Sequence, residues 1–163
     1  MNRRRFLQIS ILGSSTLGGC LQGERKDEDI ASKSFNITED SVFNCLENSA
    51  IIEFHRDENK IIVNGQIESG GRSCTKTVLE SPTFSKENGM LKIVVADKST
   101  GGSSCSAEEG AVPYRASVVL KQDSLQKVNI IHKDKQGNVH FDRTVNMTAT
   151  DSEKVVTKKI KCE

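Results

Sequence analysis

The side chains best able to do chemistry are five cysteines, and their positions divide them into one and four. Cys20 follows Leu17, Gly18 and Gly19, close behind an uncharged N-terminal stretch. Cys45, Cys74, Cys105 and Cys162 are spread over the remainder. A thiol can act as a nucleophile, a metal ligand or half of a disulfide. No Cys-x-x-Cys occurs, and His55, His132 and His140 show no ligand spacing to the cysteines, so no metal site or cofactor is expected. An even set of four outside the cytosol is expected to form two disulfides, with three possible connectivities. Cys74 and Cys105 both follow Gly- and Ser-rich turns, which favours Cys74–Cys105 and leaves Cys45 to pair with Cys162.

The other reactive pattern is histidine near carboxylate: His132 or His140 with Asp134 or Asp142, a set that could serve a hydrolase. Histidine beside aspartate is common in polar turns. There is no Gly-x-Ser-x-Gly, no His-Glu-x-x-His and no phosphate-binding loop, so no catalytic residue is assigned and the chain is not expected to be an enzyme.

Position gives Cys20 its chemistry. Arg3, Arg4 and Arg5 precede an uncharged segment from Phe6 to Gly19, the layout of an export signal. Its 14 residues fall short of the roughly 20 that span a bilayer. Arg3, Arg4, Phe6 and Leu7 resemble the twin-arginine export motif, and Leu17-Gly18-Gly19-Cys20 resembles a bacterial-type lipobox. Small residues let the backbone enter a peptidase cleft, and the cysteine thiol accepts a diacylglycerol. Two acyl chains anchor stably where one holds only marginally. The expected partners are therefore the twin-arginine translocase during export and membrane lipid afterwards. The expected place is the outer face of the cytoplasmic membrane.

Removing the three leader arginines from 23 basic residues leaves 20 against 22 acidic ones, so no basic face for nucleic acid is expected. Six consecutive charged residues from Glu24 to Asp29 show no apolar periodicity. Residues 1–19 are accordingly read as a signal peptide, 20–33 as a disordered lipid-anchored tether, and 34–163 as one folded domain with a C-terminal tail. Asn36 and Asn146 open glycosylation-type tripeptides.

The segments that carry these groups alternate with period two. Strands are expected at Ala50–His55, Lys60–Glu68, Thr75–Leu79, Thr83–Ser85, Met90–Ala96, Tyr114–Leu120, Leu125–His132 and Val139–Val145. Ala50, Ile52 and Phe54 share one face, as do Ile61, Val63, Gly65 and Ile67, and again Leu91, Ile93 and Val95. Pro82 marks an edge or bend. Asn88-Gly89 is a hairpin turn requiring positive φ. Asp97 to Gly110 is a long Gly- and Ser-rich loop where a binding surface could lie. Seven to eight strands at this spacing, with no tryptophan, predict an all-β, disulfide-stapled, two-sheet antiparallel sandwich of immunoglobulin-like architecture.

The stretch from Cys45 to about Val145 resembles the small twin-arginine-exported lipoproteins of halophilic archaea. The resembling features are Cys45, Ile61-Ile62-Val63-Asn64-Gly65-Gln66-Ile67, Cys74-Thr75, Leu91-Lys92-Ile93-Val94-Val95, Cys105, and Tyr114-Arg115-Ala116-Ser117-Val118 before Val128-Asn129-Ile130-Ile131-His132. The resemblance implies an exported β domain and assigns no activity. The expectation is a membrane-anchored binding or structural module. The alternatives are an accessory subunit of an exported or membrane complex, or a surface hydrolase.

Overall fold

The computed structural model describes residues 28–39, 43, 47–70, 74–101, 109–147 and 155–160. The export motif (Arg3, Arg4, Phe6, Leu7), the lipobox (Leu17, Gly18, Gly19), Cys20, Cys45, Cys105 and Cys162 lie outside these residues.

The described residues form ten strands: β1 (Ile30–Ile37), β2 (Ser49–His55), β3 (Lys60–Gly70), β4 (Thr75–Leu79), β5 (Thr83–Ser85), β6 (Met90–Ser99), β7 (Glu109–Leu120), β8 (Lys127–Lys133), β9 (Val139–Asn146) and β10 (Val155–Ile160). A single 3-10 turn, Arg56–Glu58, joins β2 to β3 and ends on Asn59 in the left-handed region at φ 48°. Asparagine tolerates that conformation better than most residues.

One sheet runs β1-β7-β3-β2-β10, with every neighbour antiparallel. The other runs β4-β6-β8-β9, with β5 also on β6. β4 and β5 lie end to end along one edge of β6, since Thr75–Leu79 pairs with Val95–Ser99 and Thr83–Ser85 with Met90–Lys92. Pro82 sits in the break between them, where a residue without an N–H costs the ladder nothing.

The two sheets enclose one core, with Ile52 and Phe54 of β2, Ile61, Val63 and Ile67 of β3, and Val118 and Leu120 of β7 meeting Leu91, Ile93 and Val95 of β6 and Val128 and Ile130 of β8. The expected inward faces of β2, β3 and β6 are all buried here, as period two requires. On the outer face of β6, Glu80 accepts from Lys98 Nζ at 2.7 Å and Lys133 Nζ at 2.9 Å, which tie the β4–β5 edge to β6 and β8. Those two lysines, Lys98 first, hold the Glu80 carboxyl below its usual range.

Four features depart from expectation. β6 and β8 pair in parallel, because β7 between them in sequence belongs to the other sheet and the chain returns in its original direction. β1 begins at Ile30, four residues inside the stretch expected to be tether. It is held by antiparallel pairing with β7 from Ile30↔Leu120 to Ile37↔Tyr114 and by a Lys86–Asp29 ion pair at 2.7 Å. β10 is a strand where a tail was expected, paired with β2 from Val155↔His55 to Ile160↔Ala50. In the β5–β6 hairpin only Gly89 has positive φ, at 58°, while Asn88 accepts the Met90 N–H on its side chain at 3.1 Å. The four-residue loop 86–89 needs one left-handed residue instead of the two that a two-residue turn would need.

Candidate functional site

Among the described residues, two inward-facing polar groups interrupt the core, on the adjacent strands β8 and β6. The first is His132 of β8, which is 0% exposed. Its Nε2 lies 2.9 Å from the Tyr114 hydroxyl and its Nδ1 2.8 Å from Asn48 Oδ1. Asn48 Oδ1 also accepts the Glu68 N–H at 3.2 Å, and an oxygen in that role takes a proton from Nδ1. His132 is thus the neutral Nδ1–H tautomer, accepting from Tyr114 on Nε2. Burial lowers its pKa to about 3 and raises that of the Tyr114 phenol.

Tyr114 reaches this position because Gly65 faces it across the β3–β7 ladder. A methyl group on Gly65 would fall inside the contact distance of the Tyr114 ring and hydroxyl. The rings then continue across the core: Phe35 stacks on Tyr114 at 5.6 Å, Tyr114 meets His132 edge-on at 5.7 Å, and His132 stacks on Phe141 at 4.7 Å. These four side chains link β1 and β7 of one sheet to β8 and β9 of the other.

On the solvent side of His132 is a hollow of about 160 Å³, with Asn48, Glu68, Asp134 and His140 on its walls. Asp134 accepts the Gln136 and Asn138 N–H groups on Oδ1 at 2.9 and 2.8 Å. Its Oδ2 faces Asn138 Nδ2 and His140 Nε2, both at 2.9 Å. These bonds, that of the Asn138 side chain first, hold its pKa far below the carboxylate range.

The structure therefore joins His140 to Asp134. It gives His132 an amide and a phenol as partners where a carboxylate was considered. Asp142 lies elsewhere, on the exposed face of β9, accepting from Asn129 Nδ2 at 2.6 Å. Among the described residues no hydroxyl or thiol nucleophile lines the hollow, and no three His, Cys, Asp or Glu side chains converge to hold a metal ion. What this arrangement does chemically is saturate its own polar groups. The hollow is also smaller than the roughly 300–1,000 Å³ of most ligand sites.

The second group lies beside the first, on the neighbouring strand β6, where Val95, two residues before Asp97, pairs with His132. A cleft of about 530 Å³ opens between the edge strands β1 and β4. Ile37, Val112 and Pro113 supply its apolar side, and Thr75, Lys76 and Thr77 its polar side. Ile37 is 51% exposed there, although the Thr38 N–H still bonds the Pro113 carbonyl at 3.0 Å and carries the β1–β7 ladder one step further. Ser69 and Thr75 hydroxyls meet at 3.1 Å across the two sheets. Behind Thr77 stands Asp97, 3% exposed, accepting the Thr77 hydroxyl at 2.6 Å.

Cys74, buried just before β4, is disulfide-bonded, and its carbonyl accepts the Thr100 N–H at 2.9 Å. The long loop expected from Asp97 to Gly110 is shorter than anticipated, because β6 runs to Ser99 and β7 starts at Glu109.

Sequence reasoning missed Asn48 and Tyr114 as the partners of His132, and Asp97 with Thr77. Asp97 left a signal, since it continues the inward set Leu91, Ile93, Val95 by one more alternation. Gly65 left one too, a glycine among β-branched residues where another group approaches closely. No family model, curated protein or solved structure matches the chain.

Proposed function

We propose that this chain is an extracytoplasmic lipoprotein, exported by the twin-arginine route, held on the outer face of the cytoplasmic membrane by acyl chains on Cys20, and acting through its β sandwich as a binding module. The observation that carries the anchor is Leu17-Gly18-Gly19-Cys20 behind an arginine pair, with β1 beginning ten residues further on at Ile30. The resemblance to the small exported lipoproteins of halophilic archaea agrees with it. A disulfide at Cys74 supports an oxidising compartment.

The pairings we propose are Cys74 with Cys105 and Cys45 with Cys162, on a sandwich that is immunoglobulin-like only in having two facing sheets. The β4–β6 register supports the first, since it brings Thr100, five residues before Cys105, against Cys74. The β10–β2 register supports the second, since Ile160 lies opposite Ala50. The cleft between β1 and β4 is the favoured binding surface, because its volume falls within the range of ligand sites.

Mass spectrometry of the protein from its native membranes tests this reading. The expected species starts at Cys20, carries a diacylglycerol mass and has its other four cysteines oxidised. An intact leader would remove the anchor, and four free thiols would remove the disulfides.

A further inference from the structure

We propose that the cleft between β1 and β4 binds a small organic cation, an ammonium or guanidinium head on an apolar body, with Asp97 as its charge partner. The inference rests on reading the chain as a binding module and names the ligand class that module would take.

A carboxylate presents about four acceptor positions. At Asp97 the Thr77 hydroxyl is the one side-chain donor among the described residues. The other well-placed carboxylates are better supplied: Asp134 accepts four hydrogen bonds near the surface, and Glu80 has two lysines. Burying a charge without compensation is costly, and charged groups in protein interiors are ordinarily paired. Asp97 is nevertheless deep, and it lies one hydrogen bond behind a cleft-lining residue.

Position makes the vacant acceptor capacity usable. Asp97 and Thr77 oppose each other in the β4–β6 ladder, on the flank where β1 and β4 leave the two sheets open to solvent. A cation entering past Thr77 would complete the carboxylate's hydrogen bonding in a region of reduced dielectric, where a charge pair is stronger than in water. Its body would rest against Ile37, Val112 and Pro113, covering the exposed Ile37 side chain. Lys76, exposed at the rim, is the one positive group among the described lining residues, which also include the acidic Glu39. A small-molecule site with an apolar wall and few convergent polar groups has this composition.

The test is a titration of the full chain in detergent micelles, followed through the backbone amide signals of Thr38, Thr77 and Val112. The probes are benzylammonium, neutral benzyl alcohol and benzoate. Saturable shifts at those amides are expected with benzylammonium, at an affinity at least tenfold above that for benzyl alcohol. Asp97→Asn should cut benzylammonium affinity at least tenfold. Should that variant not fold, Ile37→Ser at the exposed strand end should weaken it several-fold. Absence of saturable shifts, equal affinity for amine and alcohol, or preference for benzoate would each overturn the proposal. An acylated, disulfide-bonded chain that ignores benzylammonium would retire the cation site and leave the membrane anchor standing.

Discussion

His132 and Asp97 occupy the same kind of place, an inward position on a strand of the β4-β6-β8-β9 sheet, yet they are treated in opposite ways. Both imidazole nitrogens are paired, one to each side, and an aromatic stack closes over the ring. Among the described residues a single hydroxyl donates to the carboxylate, and a cleft opens in front of it. A saturated buried polar chain adds rigidity and fixes how the sheets face each other. An inward carboxylate beside a cleft keeps acceptor positions that a ligand can use. Histidine near aspartate looked like the reactive pattern in the sequence, but the geometry moves attention to the carboxylate that has no histidine.

The contrast is sharpest under acid. His132 titrates near 3 when folded, against 6.5 ordinarily. Between those values the unfolded chain binds a proton that the folded chain refuses. Stability is therefore full above pH 6.5 and falls as pH drops toward 3, by about 1.4 kcal/mol per unit. Denaturant midpoints measured from pH 7 to pH 4 should show this slope; a flat profile over that range would mean that His132 is not sealed in the core.

Gly65→Ala attacks the same chain from the other sheet by displacing Tyr114. A loss of about 3 kcal/mol is expected, at the upper end for overpacking, measurable by chemical unfolding. Tyr114→Phe keeps the ring and removes the hydroxyl, leaving His132 Nε2 buried without its donor. That should cost about 2 kcal/mol, read as a lowered thermal midpoint. Asp97→Asn should cost less than about 1 kcal/mol, since the amide oxygen can still accept from Thr77 and a buried charge is removed. Equal losses for Tyr114→Phe and Asp97→Asn would erase the distinction between the two regions.

Much of the architecture was legible because alternation survives in strands with one dry face. Ala50, Ile52 and Phe54, and Leu91, Ile93 and Val95, are placed inward by parity alone, and all are buried. β1 was hidden because Ser32, Lys33, Ser34 and Asn36 sit on an edge where exposure imposes no pattern. Its strand character comes from the backbone of β7, supplemented by Phe35 against Tyr114. β10 was hidden for a related reason, since its lysines suggested a solvated end while its backbone pairs with β2. The candidate site was less legible still. Asp97 could have been suspected from its parity with Val95, but nothing local places Ile37 and Val112 before it.

Local alternation was enough to specify the β class, most strand positions and which residues face the core, because side-chain direction in a strand depends only on local parity. Tertiary structure alone decided the parallel β6–β8 pairing, the recruitment of both terminal segments as edge strands, and the different surroundings of His132 and Asp97. Those outcomes depend on groups far apart along the chain, such as Asn48 and His132, whose meeting local alternation does not specify.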